Sequence, residues 1–213
     1  MLFSVMEYSD QSHQDSTVGY FDQVTMLVFR SGGIVFGADV EEIIEILDDE
    51  NSKIEELPDT PGLMWDDLVG FTTFRESELA VVSLNQQFDL TPSLDNLMAG
   101  KSPEVIVVQN EYGYLGIQVD QIDTIIDLEI EHIDSIPSVV ENLLEVESLW
   151  GMGKASKSTD MLSVTDDGIG DVIMLVGLND ILPGDQKRLI QTITYSKFRD
   201  MAETSSLGLT SES

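Results

Sequence analysis

The side chains able to do chemistry near neutral pH are few: the chain has two histidines and no cysteine. A zinc site built on histidine and carboxylate places two ligands close together, as in H-x-x-x-H, and no such pair occurs. His13 lies in a polar N-terminal stretch, and His132, in an acidic one, reads as an exposed loop residue. A serine triad needs a histidine poised between nucleophile and carboxylate, and no G-x-S-x-G accompanies His132. Gly151-Met152-Gly153-Lys154 echoes a phosphate loop but lacks the G-x-x-x-x-G-K-[ST] spacing, so it reads as a strand with glycines marking a bend. Thr165-Asp166-Asp167-Gly168-Ile169-Gly170-Asp171 fails the calcium-loop spacing and reads as a solvated loop. Carboxylate pairs suited to glycosidic chemistry occur at many spacings among 40 acidic residues, which strips them of information. No catalytic residue, metal ligand or cofactor site is expected, and the chain reads as a non-enzyme.

The same 40 acidic residues stand against 10 basic ones, a formal net charge of −30. Such a surface repels nucleic acid and anionic lipid, both of which are bound through Lys and Arg. It favours solubility in a salty medium, or steering toward a basic partner. No apolar run approaches the ~20 residues that span a bilayer. MLFSVMEYSD has no basic n-region, so no signal peptide is expected. The absence of cysteine fits a reducing, cytoplasmic setting.

The elements that must position any site are short strands. Residues 1–23 form an acidic arm expected to be disordered. Val24–Arg30 and Ile34–Val40 flank Ser31-Gly32-Gly33 and read as a hairpin. Glu41–Leu47 is a helical turn or a third strand, its β-branched later part favouring strand. After the breaker cluster Leu57–Gly62, Leu68–Arg75 and Glu78–Leu84 read as a second hairpin. Glu104–Gln109, Tyr114–Val119, Gln121–Leu128, Leu149–Lys154 and Asp171–Leu178 repeat the series. Residues 155–170 interrupt it as a polar surface loop. Residues 184–202 are the one helix-like stretch, holding Lys187, Arg188, Lys197 and Arg199.

The repeat has a constant offset of 79 residues, the distance from Gly37 to Gly116. It also lays Val40 on Val119, Ile43 on Ile122, Ile46 on Ile125, Asp48 on Asp127 and Pro58 on Pro137. One gapless offset over that span reads as an internal duplication. Five short twisted strands per unit suit a small closed barrel, because closure removes exposed edges.

Four stretches in order resemble the chemotaxis coupling protein (CheW-like) family. VTMLVFRSGGIVFGADVEEIIEIL resembles its opening hairpin and following strand. LPDTPGLMWDDLVGFTTFRESELAVVSL resembles its proline-rich connection and G-x-x-N-L-R-G-x-x-x-P-V-x-D-L motif. YGYLGIQVDQIDTIIDL resembles its G-x-x-V-D-x-V stretch, and LWGMGKA with DVIMLVGLNDIL its closing strands. The resemblance covers residues 24–182. It implies an all-β fold of two intertwined five-stranded SH3-like barrels (about 24–100 and 101–182, with termini open to exchange), followed here by a C-terminal helix and tail over 183–213.

It also implies a non-catalytic adaptor that couples the cytoplasmic tip of a methyl-accepting chemoreceptor to a CheA-like histidine kinase. Carried over by position, Ile43, Glu45 and Arg75 fall at or near the partner-binding surfaces. Arg75, one of four arginines in an acidic chain, should find a carboxylate, with Glu45 a candidate. The family's N-L-R-G is Thr73-Phe74-Arg75-Glu76 here, its proline Ala80 and its aspartate Ser83. Glu76 in place of glycine implies a different turn or a longer hairpin. These departures fall where partner contact is expected. They leave open a divergent scaffold that has lost one partner and serves another motility or signalling system.

Overall fold

A computed structural model describes residues 23–47, 53–56, 68–91, 102–138, 140, 148–154 and 172–190. The expected N-terminal arm, the breaker cluster at 57–62, the loop at 155–170 and the chain beyond residue 190 lie outside the described residues. The apolar, β-branched runs form strands: β1 (Gln23–Ser31), β2 (Ile34–Asp39), β3 (Ile43–Leu47), β4 (Glu55–Glu56), β5 (Leu68–Phe74) and β6 (Ser77–Ser83). The second half repeats them as β7 (Glu104–Asn110), β8 (Gly113–Val119), β9 (Gln121–Glu129), β10 (Ile133–Asp134), β11 (Leu149–Lys154) and β12 (Val172–Val176). Glu41–Leu47 takes both forms expected of it: a 3-10 turn over Val40–Glu42, then strand β3. Residues 184–190 are helical. The two-residue strands β4 and β10 carry no periodicity that sequence reasoning could detect, and each adds a sixth strand to its sheet.

Sheet A has the order β10-β11-β12-β2-β1-β9, and sheet B the order β3-β7-β8-β6-β5-β4. Replacing each strand by its repeat partner converts one order into the other. The duplication is therefore intertwined: hairpin β1–β2 completes the sheet built from β9–β12, and hairpin β7–β8 completes that built from β3–β6. The chain crosses from sheet A to sheet B at Val40–Glu42 and returns at Asp120.

The pattern of burial follows from this exchange. On β1, Met26 and Val28 pack inside sheet A with Ile126, Leu128, Ile173 and Leu175. The alternate residues Leu27 and Phe29 enter a larger core shared with Ile106, Val108, Leu115 and Ile117 of sheet B. On β7, Val105 and Val107 point into sheet B beside Leu47, Leu79 and Val81, while Ile106 and Val108 face the shared core. Strands buried on both faces read as continuous apolar runs, which is why VTMLVF and EVIVV show no alternation. Each fully buried aliphatic side chain contributes about 1.5–3 kcal/mol.

Gly37 and Gly116 sit at equivalent crossings, where the only parallel pairs among the described strands bring Leu175 beside Gly37 and Val81 beside Gly116. A Cβ on Gly37 would lie 2.8 Å from Ile173 Cγ2, and one on Gly116 would lie 3.0 Å from Val105 Cγ1. The glycines let the closing strand of each half reach the hairpin of the other. Gly153 of the phosphate-loop echo likewise admits Leu128, which a Cβ would approach to 2.6 Å. That segment is strand β11, with a register shift between Leu149 and Gly151.

Each crossover holds a carboxylate that ties down the helical turn after a closing strand. Asp120 accepts from Asn85 Nδ2 at 2.7 Å and from the Gly32 N–H at 2.9 Å, and Ser31 Oγ donates to Asn85 Oδ1 at 2.8 Å. Asn85 belongs to α1 (Leu84–Gln87), the turn that follows β6. At the other crossover, Glu42 accepts from the Leu178 N–H at 2.7 Å, in the 3-10 turn Leu178–Asp180 after β12. Burial raises the Glu42 pKa; Asp39 and Asp180 add to the rise, and the Leu178 and Asn179 N–H groups oppose it.

Gly37→Ala is expected to destabilise the protein by about 1–3 kcal/mol, since the added methyl overpacks a buried crossing; urea unfolding measures it. A raised folded-state pKa means that the native protein holds the Glu42 proton more firmly than the unfolded chain. The associated stability is complete below the ordinary value of 4.5 and is lost as pH rises through the folded-state value. Glu42→Gln carries no such loss, so urea melts across pH should show the variant gaining stability relative to the native protein toward neutrality.

Candidate partner-binding surface

The structure brings two of the three expected site residues together. Glu45 lies on β3, which among the described strands is an edge of sheet B paired only with β7. Arg75 lies at the tip of the β5–β6 hairpin, and its Nη2 is 3.4 Å from Glu45 Oε2. The guanidinium also sits over the Phe74 ring, 4.8 Å from its centroid, and 6.0 Å from that of Tyr114. Phe74 and Tyr114 meet edge to face at 5.2 Å. An arginine above two rings gains cation–π attraction of about 0.5–1 kcal/mol at an exposed site. The ion pair is half exposed on both sides and adds about 0–1 kcal/mol. These contacts hold Arg75 in place without hiding it.

Ile43 goes elsewhere. It is half-buried and packs on the shared core. The register of β3 shifts between Ile43 and Glu45, so two residues of β3 span one step of β7. Ile44 and Ile46 are left exposed at 37% and 40%. The exposed apolar residues of this edge are therefore Ile44 and Ile46, with Ile43 behind them as their anchor. Sequence reasoning missed both, because an outward bulge cannot be seen in a run of isoleucines. It also missed Phe74 and Tyr114; an aromatic beside an arginine at a turn is the signal that could have found the first.

Of the two forms expected of the turn at Arg75, the longer hairpin does not occur. Glu76 in place of glycine neither lengthens the hairpin nor loosens its register: Phe74 pairs with Ser77 across a two-residue loop. Arg75 and Glu76 instead adopt positive φ, 48° and 64°. This is the left-handed geometry that tight hairpins demand, and it costs a residue with a Cβ about 1–2 kcal/mol. At the first hairpin, Gly32 and Gly33 meet the same demand at φ 58° and 79° without that cost.

The departures at Ala80 and Ser83 lie inside the fold. Ala80 is buried in the shared core. Ser83 is buried and caps α1, its Oγ accepting from the Gln86 N–H at 3.3 Å. Serine and aspartate are comparable helix caps, so the exchange preserves a structural task. Of the departures from the family motif, Thr73 and Glu76 stand on an exposed surface.

His132 is exposed, as expected, in a 3-10 turn. Its Nδ1 is 3.4 Å from Glu129 Oε2, and ligand atoms of Glu129, Glu131 and His132 lie within 4.8 Å of one another. The group is a solvated acidic turn. No helix among the described residues is long and apolar enough to cross a membrane.

Two sheets completed by each other's hairpins, with an arginine–carboxylate contact at an exposed apolar edge, define a duplicated β-barrel domain. Residues 25–166 match the family model of the CheW-like domain. That is more than half of the chain, and the chain belongs to the CheW-like family of non-catalytic chemotaxis scaffold domains. Among solved structures it is similar to the scaffolding protein TtCheW from Thermoanaerobacter tengcongensis, with a TM-score of 0.55 and 21% identity over 74% of this chain and 91% of that one. That likeness concerns the fold. No curated protein matches the chain.

Glu76→Gly is expected to relieve the turn and raise stability by about 0.5–1 kcal/mol. The measurement is the urea midpoint, which should rise with an unchanged denaturant slope.

Proposed function

We propose that this chain is a cytoplasmic adaptor that couples the cytoplasmic tips of methyl-accepting receptors to a CheA-like histidine kinase. Residues 24–182 are its functional unit; 1–23 and 183–213 lie outside it. The observation that carries this reading is Arg75, fixed over Phe74 and Tyr114 beside Glu45, with Ile44 and Ile46 exposed on the adjoining edge strand. Aliphatic area with one oriented charge at its centre is the composition of a protein-binding patch. Glu45 and Arg75 are the polar groups that orient the partner, and Ile43 supports the edge from behind. The receptor helix would lie against the junction of the two barrels, its apolar face toward the chain.

A second reading, a divergent scaffold that keeps one partner, is favoured by Glu76. It puts a carboxylate beside Arg75 where the family motif has glycine, which alters the charge presented at the hairpin tip.

Pull-down from native lysate separates the two. The native protein is expected to recover a histidine kinase and a methyl-accepting receptor, and Arg75→Glu to lose one of them while staying folded by circular dichroism. Recovery of one alone by the native protein supports the divergent scaffold. Recovery of neither by a folded protein overturns coupling.

A further inference from the structure

Sheet A carries a second surface that the Arg75 site does not use. Strand β9 pairs with β1 on one side, and no strand among the described residues pairs with its other edge. Ile126 and Leu128 point inward and fill the core of sheet A. Ile125 stands 59% exposed, and Ile130, in the turn that follows, 49% exposed. Outward residues of a strand repeat about every 7 Å, so Ile125, Asp127 and Glu129 form one stripe, which Ile130 and Glu131 prolong. No Lys or Arg occurs from Gln121 to Glu131.

The duplication supplies the contrast. On β3, the carboxylate of Glu45 is met by Arg75 from the chain's own hairpin. The equivalent of Arg75 at the 79-residue offset is Lys154, which turns to Asp134 instead, at 2.7 Å. The equivalent of Glu45 is Thr124. Asp127 accepts from the Thr25 hydroxyl at 2.8 Å, and Glu129 faces His132. An exposed isoleucine on an edge strand is ordinarily guarded by lysine. Here Asp123 before it is held by Arg30 of β1 at 2.7 Å, while Asp127, Glu129 and Glu131 beyond it have no Lys or Arg among them, a charge pattern that repels anionic partners and attracts cationic ones.

We propose that β9 is a docking edge for an extended segment of a partner protein that alternates aliphatic residues with Lys or Arg. The segment's backbone adds to the open edge as a further strand. Its aliphatic side chains cover Ile125 and Ile130, and its cations meet Asp127, Glu129 and Glu131, which sets strand register and speeds encounter. This surface is independent of the coupling reading, because every residue of the Arg75 site is on sheet B.

The test uses the full chain and a short fluorescein-labelled peptide alternating Lys and Val. Anisotropy should show saturable binding that weakens with added salt, and hydrogen exchange should slow at the β9 amides. Ile125→Ser should weaken binding about tenfold, the scale of one aliphatic side chain left uncovered. Ile46→Ser, at the equivalent place on β3, should leave it unchanged. Both residues are exposed, and circular dichroism checks that the variants fold. Equal binding by a peptide alternating Lys and Ser, no effect of Ile125→Ser, an equal effect of Ile46→Ser, or unprotected β9 amides would each overturn the proposal and reduce the binding to diffuse attraction between a cation and an acidic protein.

Discussion

The structure depends on strands that are buried on both faces. β1 and β7 each send alternate residues into the interior of their own sheet and into the core between the sheets. β6 and β12 do the same: Leu79 and Val81 face one core and Ala80 and Val82 the other, as do Ile173 and Leu175 against Met174 and Val176. A strand so placed has no polar side to expose, so it must be covered by two layers. The exchange of hairpins supplies both, because each hairpin is inserted between material from the other half of the chain. Neither sheet can be completed from its own half alone, which makes the core a shared one.

Close approach at the crossings follows from the same arrangement. Where a closing strand runs parallel to a hairpin strand of the other half, Gly37 and Gly116 make room for it. Polar groups then lock the connections: Asp120 with Asn85 and Gly32, and Glu42 with the Leu178 turn. These carboxylates stand where the chain leaves one sheet for the other, and they satisfy backbone N–H groups of neighbouring turns, Gly32 after β1 and Leu178 after β12. In a chain with a net charge of −30, these acids serve the geometry of the fold.

The surface inherits its character from this frame. Edge strands β3 and β9 are equivalent positions, yet they carry different chemistry. The β3 edge has an arginine held over aromatic rings at the tip of a left-handed turn, with isoleucines on either side of a paired carboxylate. The β9 edge keeps the isoleucine, Ile125, and follows it with Asp127, Glu129 and Glu131. Duplication built two similar edges, and divergence at positions 45/124 and 75/154 separated them.

Much of the fold was legible in the amino-acid order. Apolar β-branched runs, glycine punctuation and the offset joining Gly37 to Gly116 specify an all-β duplicated chain, because strand propensity and turn chemistry are local properties. The pairing of Arg75 with Glu45 was legible too, since a lone cation in an acidic surrounding must find a carboxylate. Other features arose only in three dimensions. Which half completes which sheet depends on pairings between residues about a hundred positions apart, such as Leu27 with Ile125. The left-handed turn at Arg75-Glu76 was hidden, because the register of β5 with β6 imposes it against the preference of both residues. The exposure of Ile44 and Ile46 was hidden as well, because a bulge in β3 decides which isoleucines face the core. Composition determined that this chain would be strands; the geometry of covering each strand twice decided where they cross and which edges remain outside.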